Sequence, residues 1–285
     1  MRPCYVFRAR EKVVELGKKT QLMGVVNITP DSFSDGGCFL EHSRSIEHSL
    51  SLVEAGADIL DLGAESSRPG AKSITVEEEL NRLLPVLQEV RKRVSVPISV
   101  DTSKPVVARE ALKEGADIVN DITAFRGNSE MPTVVNEWGA GVVLTHMRGT
   151  PETMQERPFS EDILKDIQTD LQAAVSKALR HGIGRERIVI DPGIGFGKSL
   201  EDNCRIVNRL SFLKSFQLPI LVGTSRKQFL GQILDKSVTE RMWGTAASVV
   251  VSILRGVHII RVHDMAEMNQ VALVTDAIIA ESVSR

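Results

Sequence analysis

Polar and charged side chains recur at one kind of place in this sequence, at or just after the ends of short apolar runs. They are Asn27, Asp61, Asp101, Asn120, His146, Asp191, Ser225, Lys227, Arg261 and His263. By chemistry they divide in two. Asp101, Asn120 and Asp191 supply two carboxylates and an amide. That set suits a flat heterocycle with a guanidine-like edge, because one carboxylate can accept two parallel N–H bonds from such an edge. Lys227, Arg261 and His263, with Arg68, are cations suited to an anion. Helix capping accounts for roughly two or three of these positions, since Asp, Asn and Ser are preferred there. Capping does not explain Arg261 or His263.

Such residues can cooperate only if the intervening chain brings them to one mouth. Apolar runs lie at 22–28, 58–63, 97–101, 117–122, 141–147, 188–191, 219–224 and 258–263. They are rich in Val, Ile and Leu rather than alternating, as expected of parallel strands buried on both faces. Between them lie amphipathic stretches. Residues 76–94 place Leu80, Leu83, Leu84, Leu87 and Val90 at helical spacing, and 162–181 and 201–216 are similar. Eight strands alternating with helices predict an α/β fold, a single (β/α)₈ TIM barrel, whose active sites form at the C-terminal strand ends.

A faint repeat supports the units: Ala55-Gly-Ala-Asp-Ile-Leu-Asp61 resembles Glu114-Gly-Ala-Asp-Ile-Val-Asn120, with looser copies at 138–144 and 255–261. The glycine ends a helix and the chain turns into a strand. Residues 1–21 fall outside the units, and 5–8 and 12–16 can pair across 9–11. The predicted organisation is an N-terminal β-hairpin over 1–21 and a barrel over 22–285.

Composition narrows the partners. With 42% hydrophobic and 25% charged residues and a net charge of −2, nothing calls for nucleic acid or an anionic membrane. Cys4, Cys38 and Cys204 lack metal-ligand spacing and read as free thiols in a reducing compartment. The start has no signal-peptide core, and no run approaches the ~20 apolar residues of a membrane helix. A cytoplasmic protein is expected.

Two Pro/Gly/Ser-rich loops, 29–37 and 66–71, look built to move. Phe33 in the first either covers a ligand or staples the loop to the barrel. The stretch Asp191-Pro-Gly-Ile-Gly-Phe-Gly-Lys-Ser199 imitates phosphate-binding motifs but fails them. A Walker A loop needs glycine where Pro192 stands, and the glycine spacing is wrong for a dinucleotide fingerprint. Its glycines let the backbone approach a ligand, with Phe196 packing on it. His42, His48 and His181 read as solvated, and His258, at the start of the eighth strand, receives no role. The aliphatic face over 245–254 (Ala246, Ala247, Val249, Val250) reads as core or a dimer contact.

Taken together these motifs resemble the dihydropteroate synthase family. Asn27-Ile-Thr-Pro-Asp-Ser-Phe-Ser-Asp-Gly-Gly37 and Asp61-Leu-Gly-Ala-Glu-Ser-Ser-Arg-Pro-Gly70 are similar to its first two signatures. Ser99-Val-Asp-Thr102, Asn120-Asp-Ile122, His146-Met147, Gly149-Thr-Pro151, Asp191–Gly197, Ser225-Arg-Lys227 and Arg261-Val-His-Asp264 continue the match. The resemblance implies condensation of 6-hydroxymethyl-7,8-dihydropterin diphosphate with 4-aminobenzoate, releasing diphosphate to give 7,8-dihydropteroate. It implies a pterin site at Asp101, Asn120, Ile122, Met147, Asp191, Gly223 and Lys227. The diphosphate would lie among Asn27, Ser67, Arg68, Arg261 and His263, with Mg²⁺ at Asn27 and Asp35. The 4-aminobenzoate pocket would comprise Phe33, Ser67, Pro69, Phe196 and Ser225, and Asp101, Lys227, Arg261 and His263 would carry catalysis. A homodimer is also implied. The chain departs from the family at Ser67, usually Thr, and near Ala124, commonly Gly.

Other readings predict different site chemistry. A pterin-dependent methyltransferase barrel shares the carboxylates and amide but needs no diphosphate site, so the cations and long first loop speak against it. A Schiff-base aldolase would use Lys227 as nucleophile. A non-catalytic pterin-binding paralogue would not need every catalytic position filled.

Overall fold

The protein is seen in a computed structural model that describes residues 2–28, 37–66, 70–150, 152–154 and 160–281. Phe33, Asp35, Ser67, Arg68 and Pro69, and most of the two loops expected to move, lie outside the described residues.

Two antiparallel strands, β1 (Tyr5–Ala9) and β2 (Lys12–Leu16), form the expected hairpin, with Arg10 left-handed at the turn (φ 54). The barrel strands follow as β3 (Gln21–Asn27), β4 (Ile59–Gly63), β5 (Ile98–Asp101), β6 (Ile118–Asp121), β7 (Gly141–Thr145), β8 (Ile188–Asp191), β9 (Leu221–Val222) and β10 (Ile259–Val262). They make one eight-stranded sheet in the order β8-β7-β6-β5-β4-β3-β10-β9, all pairings parallel. A bridge between Ile190 and Ile220 joins β8 to the run leading into β9 and closes the ring. The seventh strand is shorter than the apolar run at 219–224 suggested. Pro219 has no N–H to give a ladder, and the Ile220 N–H is taken by the His258 ring at 3.1 Å.

Helices α1 (Gly37–Glu54), α2 (Val76–Arg93), α3 (Pro105–Lys113), α4 (Met131–Glu137), α5 (Ile163–Arg180), α6 (Leu200–Arg209), α7 (Gln228–Leu234), α8 (Met242–Leu254) and α9 (Met265–Ala280) wrap the sheet. α2 starts where Thr75 accepts from the Glu78 N–H, with Glu77, Glu78 and Glu79 in the first turn and Arg91, Lys92 and Arg93 in the last, favourable at both ends of the helix dipole. The stretch 201–216 is not one helix: α6 ends at Arg209 and a 3₁₀ segment, Leu210–Phe216, completes it. The repeat glycines behave as their type predicts. Gly56 and Gly115 have φ of +103 and +105, the conformation a side chain would strain.

Side chains two apart on a strand share a side, and this sets the interior. The lower layer is apolar: Met23, Ile59, Ile118, Val143, Val189, Leu221 and Ile259 cluster with Phe7, Ala9 and Leu16 of the hairpin. The hairpin is therefore a plug. A Cβ on Gly141 would lie 2.6 Å from the Phe7 ring, so glycine is what lets the plug seat. Two residues further along the same strands, the inward positions become Asp61, Asn120, Thr145, Asp191, Gly223 and Arg261. The repeat copy at 138–144 is out of phase with these: Leu144 packs outward in the main core and Thr145 takes the inward place.

Candidate active site

The polar layer forms a connected network. Asn120 Nδ2 donates to Asp61 Oδ2 at 3.1 Å, and Thr145 Oγ1 lies 3.5 Å from Asn120 Oδ1. Arg261 Nη2 donates to Asp191 Oδ2 at 3.1 Å, and its Nη1 stands 3.6 Å from Asp61 Oδ2. The other oxygen of Asp191 accepts from the Gly193 N–H at 2.7 Å. Asn120, Asp191, Asp61 and Arg261 are all buried. Gly223 faces Arg261, where a Cβ would come within 3.1 Å of Nε.

Charges are tuned by this crowding. Burial opposes the Arg261 cation, but Asp191, Asp61 and Asp101 together hold it protonated, with its pKa raised. Asp101 is pushed up to about 8 by burial and by the negative charge of Asp61, despite the nearby guanidinium. Lys227 is lowered to about 8 by burial and by Arg261, while Asp191 and Asp101 act in the opposite sense. Lys227 Nζ sits 4.2 Å from the centre of the Phe196 ring, a cation–π contact.

His263 is lowered to about 4 by burial and by Arg226 and Lys227. It is therefore neutral at neutral pH, and what it can give an anion is a hydrogen bond rather than charge. Ser225 Oγ holds it twice, at 3.0 Å from Nδ1 and 3.2 Å from the backbone N–H. The neighbouring Asp264 pairs with Arg226, which leaves Asp264 engaged outside the mouth.

Beside this network lies a cavity of about 430 Å³, lined by Asp101, Ile122 and Met147 and opening toward Glu65 and Ser66 of the second loop. Ile122, Met147, Met154 and Phe196 form a small apolar cluster separate from the core, and its Ile122 and Met147 line the cavity, a slot suited to a flat ring. Phe196, expected in the amine pocket, thus packs with the residues expected around the pterin. Asn27 ends β3 and is exposed at the rim. His146 does not join the mouth. It points out of the barrel toward Asp170 of α5 at 3.4 Å and is buried.

Two residues in and behind this network carry no role that the sequence alone assigns. Asp61 carries the same strand-end signature as Asp101 and Asn120, and its bond to the Asn120 amide could have been anticipated from that repeat. Lys198 lies in the stretch that only imitates a phosphate-binding motif. Near the cavity, Ala124 and Phe125 adopt left-handed φ of 49 and 66. This gives a physical reason for the glycine common in the family near Ala124. The strain is offset by Asp121, which accepts from the N–H groups of Thr123 and Phe125.

Comparison with known proteins agrees with this geometry. The family model for pterin binding enzymes matches residues 23–263. Dihydropteroate synthase of Escherichia coli is 43% identical over 256 residues, 90% of each chain. Among solved structures, dihydropteroate synthase of Xanthomonas albilineans with 4-aminobenzoic acid has a TM-score of 0.91 at 36% identity, covering 98% of this chain and 99% of that one. The Clostridium difficile enzyme in the presence of pteroic acid has a TM-score of 0.87 at 41% identity, covering 92% and 98%. With the barrel, the acceptor-and-cation mouth and these relatives in agreement, the chain belongs to the pterin-binding enzymes, among the dihydropteroate synthases.

Proposed function

We propose that this chain joins 6-hydroxymethyl-7,8-dihydropterin diphosphate to 4-aminobenzoate and releases diphosphate. The observation that carries this is the shared rim: Arg261 reaches Asp191 directly at 3.1 Å, so the ring-binding and anion-binding groups occupy one site. Relatives solved with 4-aminobenzoic acid and in the presence of pteroic acid support the same pair of ligands.

The ring edge would bond Asp101, Asn120 and Asp191, with its faces against Met147, Ile122 and Phe196. Lys227 lies beside Asp101 and Asp191, where it can bond the ring's polar edge. Arg261 and the N–H of His263 would bind the leaving diphosphate. As the methylene C–O bond breaks, its electron pair goes to the diphosphate, and positive charge on the methylene is stabilised by the dihydropterin and nearby carboxylates. The neutral amine of 4-aminobenzoate then forms the C–N bond and loses a proton. No activated nucleophile is needed, so Lys227 need not act as one. Exclusion of water by the loops after β3 and β4 would keep it from capturing the cation.

Mg²⁺ is part of the proposal. Bound with the diphosphate, it would offset that group's charge. Among the described residues no group of three or more His, Cys, Asp or Glu side chains could hold a metal. An ion held mainly by phosphate oxygens and water, with the Asn27 carbonyl at the rim, fits Mg²⁺, which keeps its waters. Asp35, its other expected ligand, lies outside the described residues.

We further propose a homodimer in the cytosol. Exposed apolar side chains on α8 and α9, Trp243, Leu254, Leu273, Val274 and Ile278, support a face for a second copy. No described helix is long and apolar enough to cross a membrane, and Cys4 and Cys204 are free. Incubation with the pterin diphosphate, 4-aminobenzoate and Mg²⁺ tests the reaction. Diphosphate should appear in step with dihydropteroate, and no release above a blank lacking protein would overturn the proposal.

A further inference from the structure

Lys198 follows the glycine-rich turn after β8 and is 5% exposed. Its ammonium donates to three backbone carbonyls: Gly193 at 2.8 Å, Phe196 at 3.0 Å and His146 at 3.2 Å. Among the described residues no carboxylate bonds it, and burial pulls its pKa down to about 7, against the nearby charge of Asp191 and with Lys227 and Arg148 adding to the effect. A buried cation is expensive to keep. The Gly193 and Phe196 carbonyls also accept from the N–H groups of Phe196 and Arg148, at 3.1 and 3.5 Å, so an apolar side chain in its place would take the donor from the His146 carbonyl and one of two donors from the others.

Those carbonyls belong to two different loops. His146 follows β7 and precedes Met147, while Gly193 and Phe196 follow β8. The loops already touch backbone to backbone. A Cβ on Gly193 would fall 1.8 Å from the His146 oxygen, and one on Gly197 would fall 2.5 Å from that of Arg148. The His146 N–H donates to the Asp191 carbonyl at 2.9 Å. The tetrahedral N–H groups of one ammonium thus close the seam between Met147, which lines the cavity, and Phe196, which packs with it in one apolar cluster.

We propose that Lys198 is a positioning residue for pterin binding: from behind the wall it fixes the spacing of Met147 and Phe196, and with them the width of the slot. This rests on reading the slot as the pterin site. The test uses Lys198→Met, with no donors, and Lys198→Gln, with two and a shorter reach. Binding of the pterin diphosphate is measured by calorimetry, along with KM for both substrates, kcat and the melting temperature. The Met variant should bind the pterin about tenfold or more weakly and the Gln variant by an intermediate amount. KM for 4-aminobenzoate should stay within about threefold of wild type, a split that general loosening of the barrel would not produce. Lower melting temperatures with unchanged pterin affinity would overturn the proposal, and so would loss of the folded barrel in both variants, since either assigns Lys198 to the fold alone. Failure of the wild-type protein to bind the pterin would instead refute the reading of the slot.

Discussion

The guanidinium of Arg261 on β10 and the carboxylate of Asp191 on β8 meet at 3.1 Å, two strands apart in the ring. The residues that read as two chemically distinct halves are therefore one electrostatic unit, with Asp61 as its third member at 3.6 Å. A ring that engages Asp191 competes with the same cation that would receive the diphosphate.

Arg261→Ala should accordingly do two things. Turnover should fall by about 10² or more, as when a charge-stabilising donor is lost. Stability should also fall, by about 3–5 kcal/mol, because Asp191 and Asp61 are left buried without their cation. Denaturant titration beside steady-state kinetics separates the two. A variant with wild-type stability would show that the guanidinium does not hold those carboxylates.

Asp101 predicts a proton balance. With its pKa near 8 it is mostly protonated at pH 7. A carboxylate that accepts two N–H bonds must be ionised, so pterin binding at pH 7 should release up to about one proton. Calorimetry in buffers of different ionisation enthalpy reads this directly, and Asp101→Asn should abolish it. Heats that do not depend on the buffer in wild-type protein would count against it.

Acid should weaken the fold through His258, whose Nδ1 accepts from the Ile220 N–H and whose Nε2 meets the Pro3 carbonyl at 3.1 Å. Burial, chiefly, lowers its pKa to about 4. The unfolded chain gains a proton on this group from about pH 6.5, the folded chain only near 4, so its stabilisation is complete above 6.5 and declines as pH falls. The loss should reach about 2 kcal/mol by pH 5. The melting temperature of His258→Asn should fall less between pH 7 and 5 than that of wild type. Equal slopes would exclude the group.

Leu254→Glu combined with Ile278→Glu places charge on the apolar face of α8 and α9. Light scattering after gel filtration should give a dimer mass for wild type and a monomer mass for the variant. A monomeric wild type at micromolar concentration would dismiss the pairing.

Much of this was legible in the sequence because buried parallel strands and strand-end polar residues leave plain composition signals. What was hidden is phase. Without alternation, nothing marks Thr145 rather than Leu144 or His146 as the inward residue of β7; only the register of the closed ring does. Phe196 and Met147 lie 49 residues apart and join one apolar cluster across the seam that Lys198 spans. The break between α6 and its 3₁₀ continuation also escapes a period count, since the apolar residues run on past it. On α8, the aliphatic stripe divides: Val249 is core, whereas Val250 borders a groove with Leu254 and Val274.

The hairpin has one more bearing on catalysis. Phe7, Ala9 and Leu16 pack into the apolar lower layer of the barrel, so among the described residues that end is filled by side chains. Reactants and products would then pass at the opposite end, where the strands' C-termini and the cavity lie.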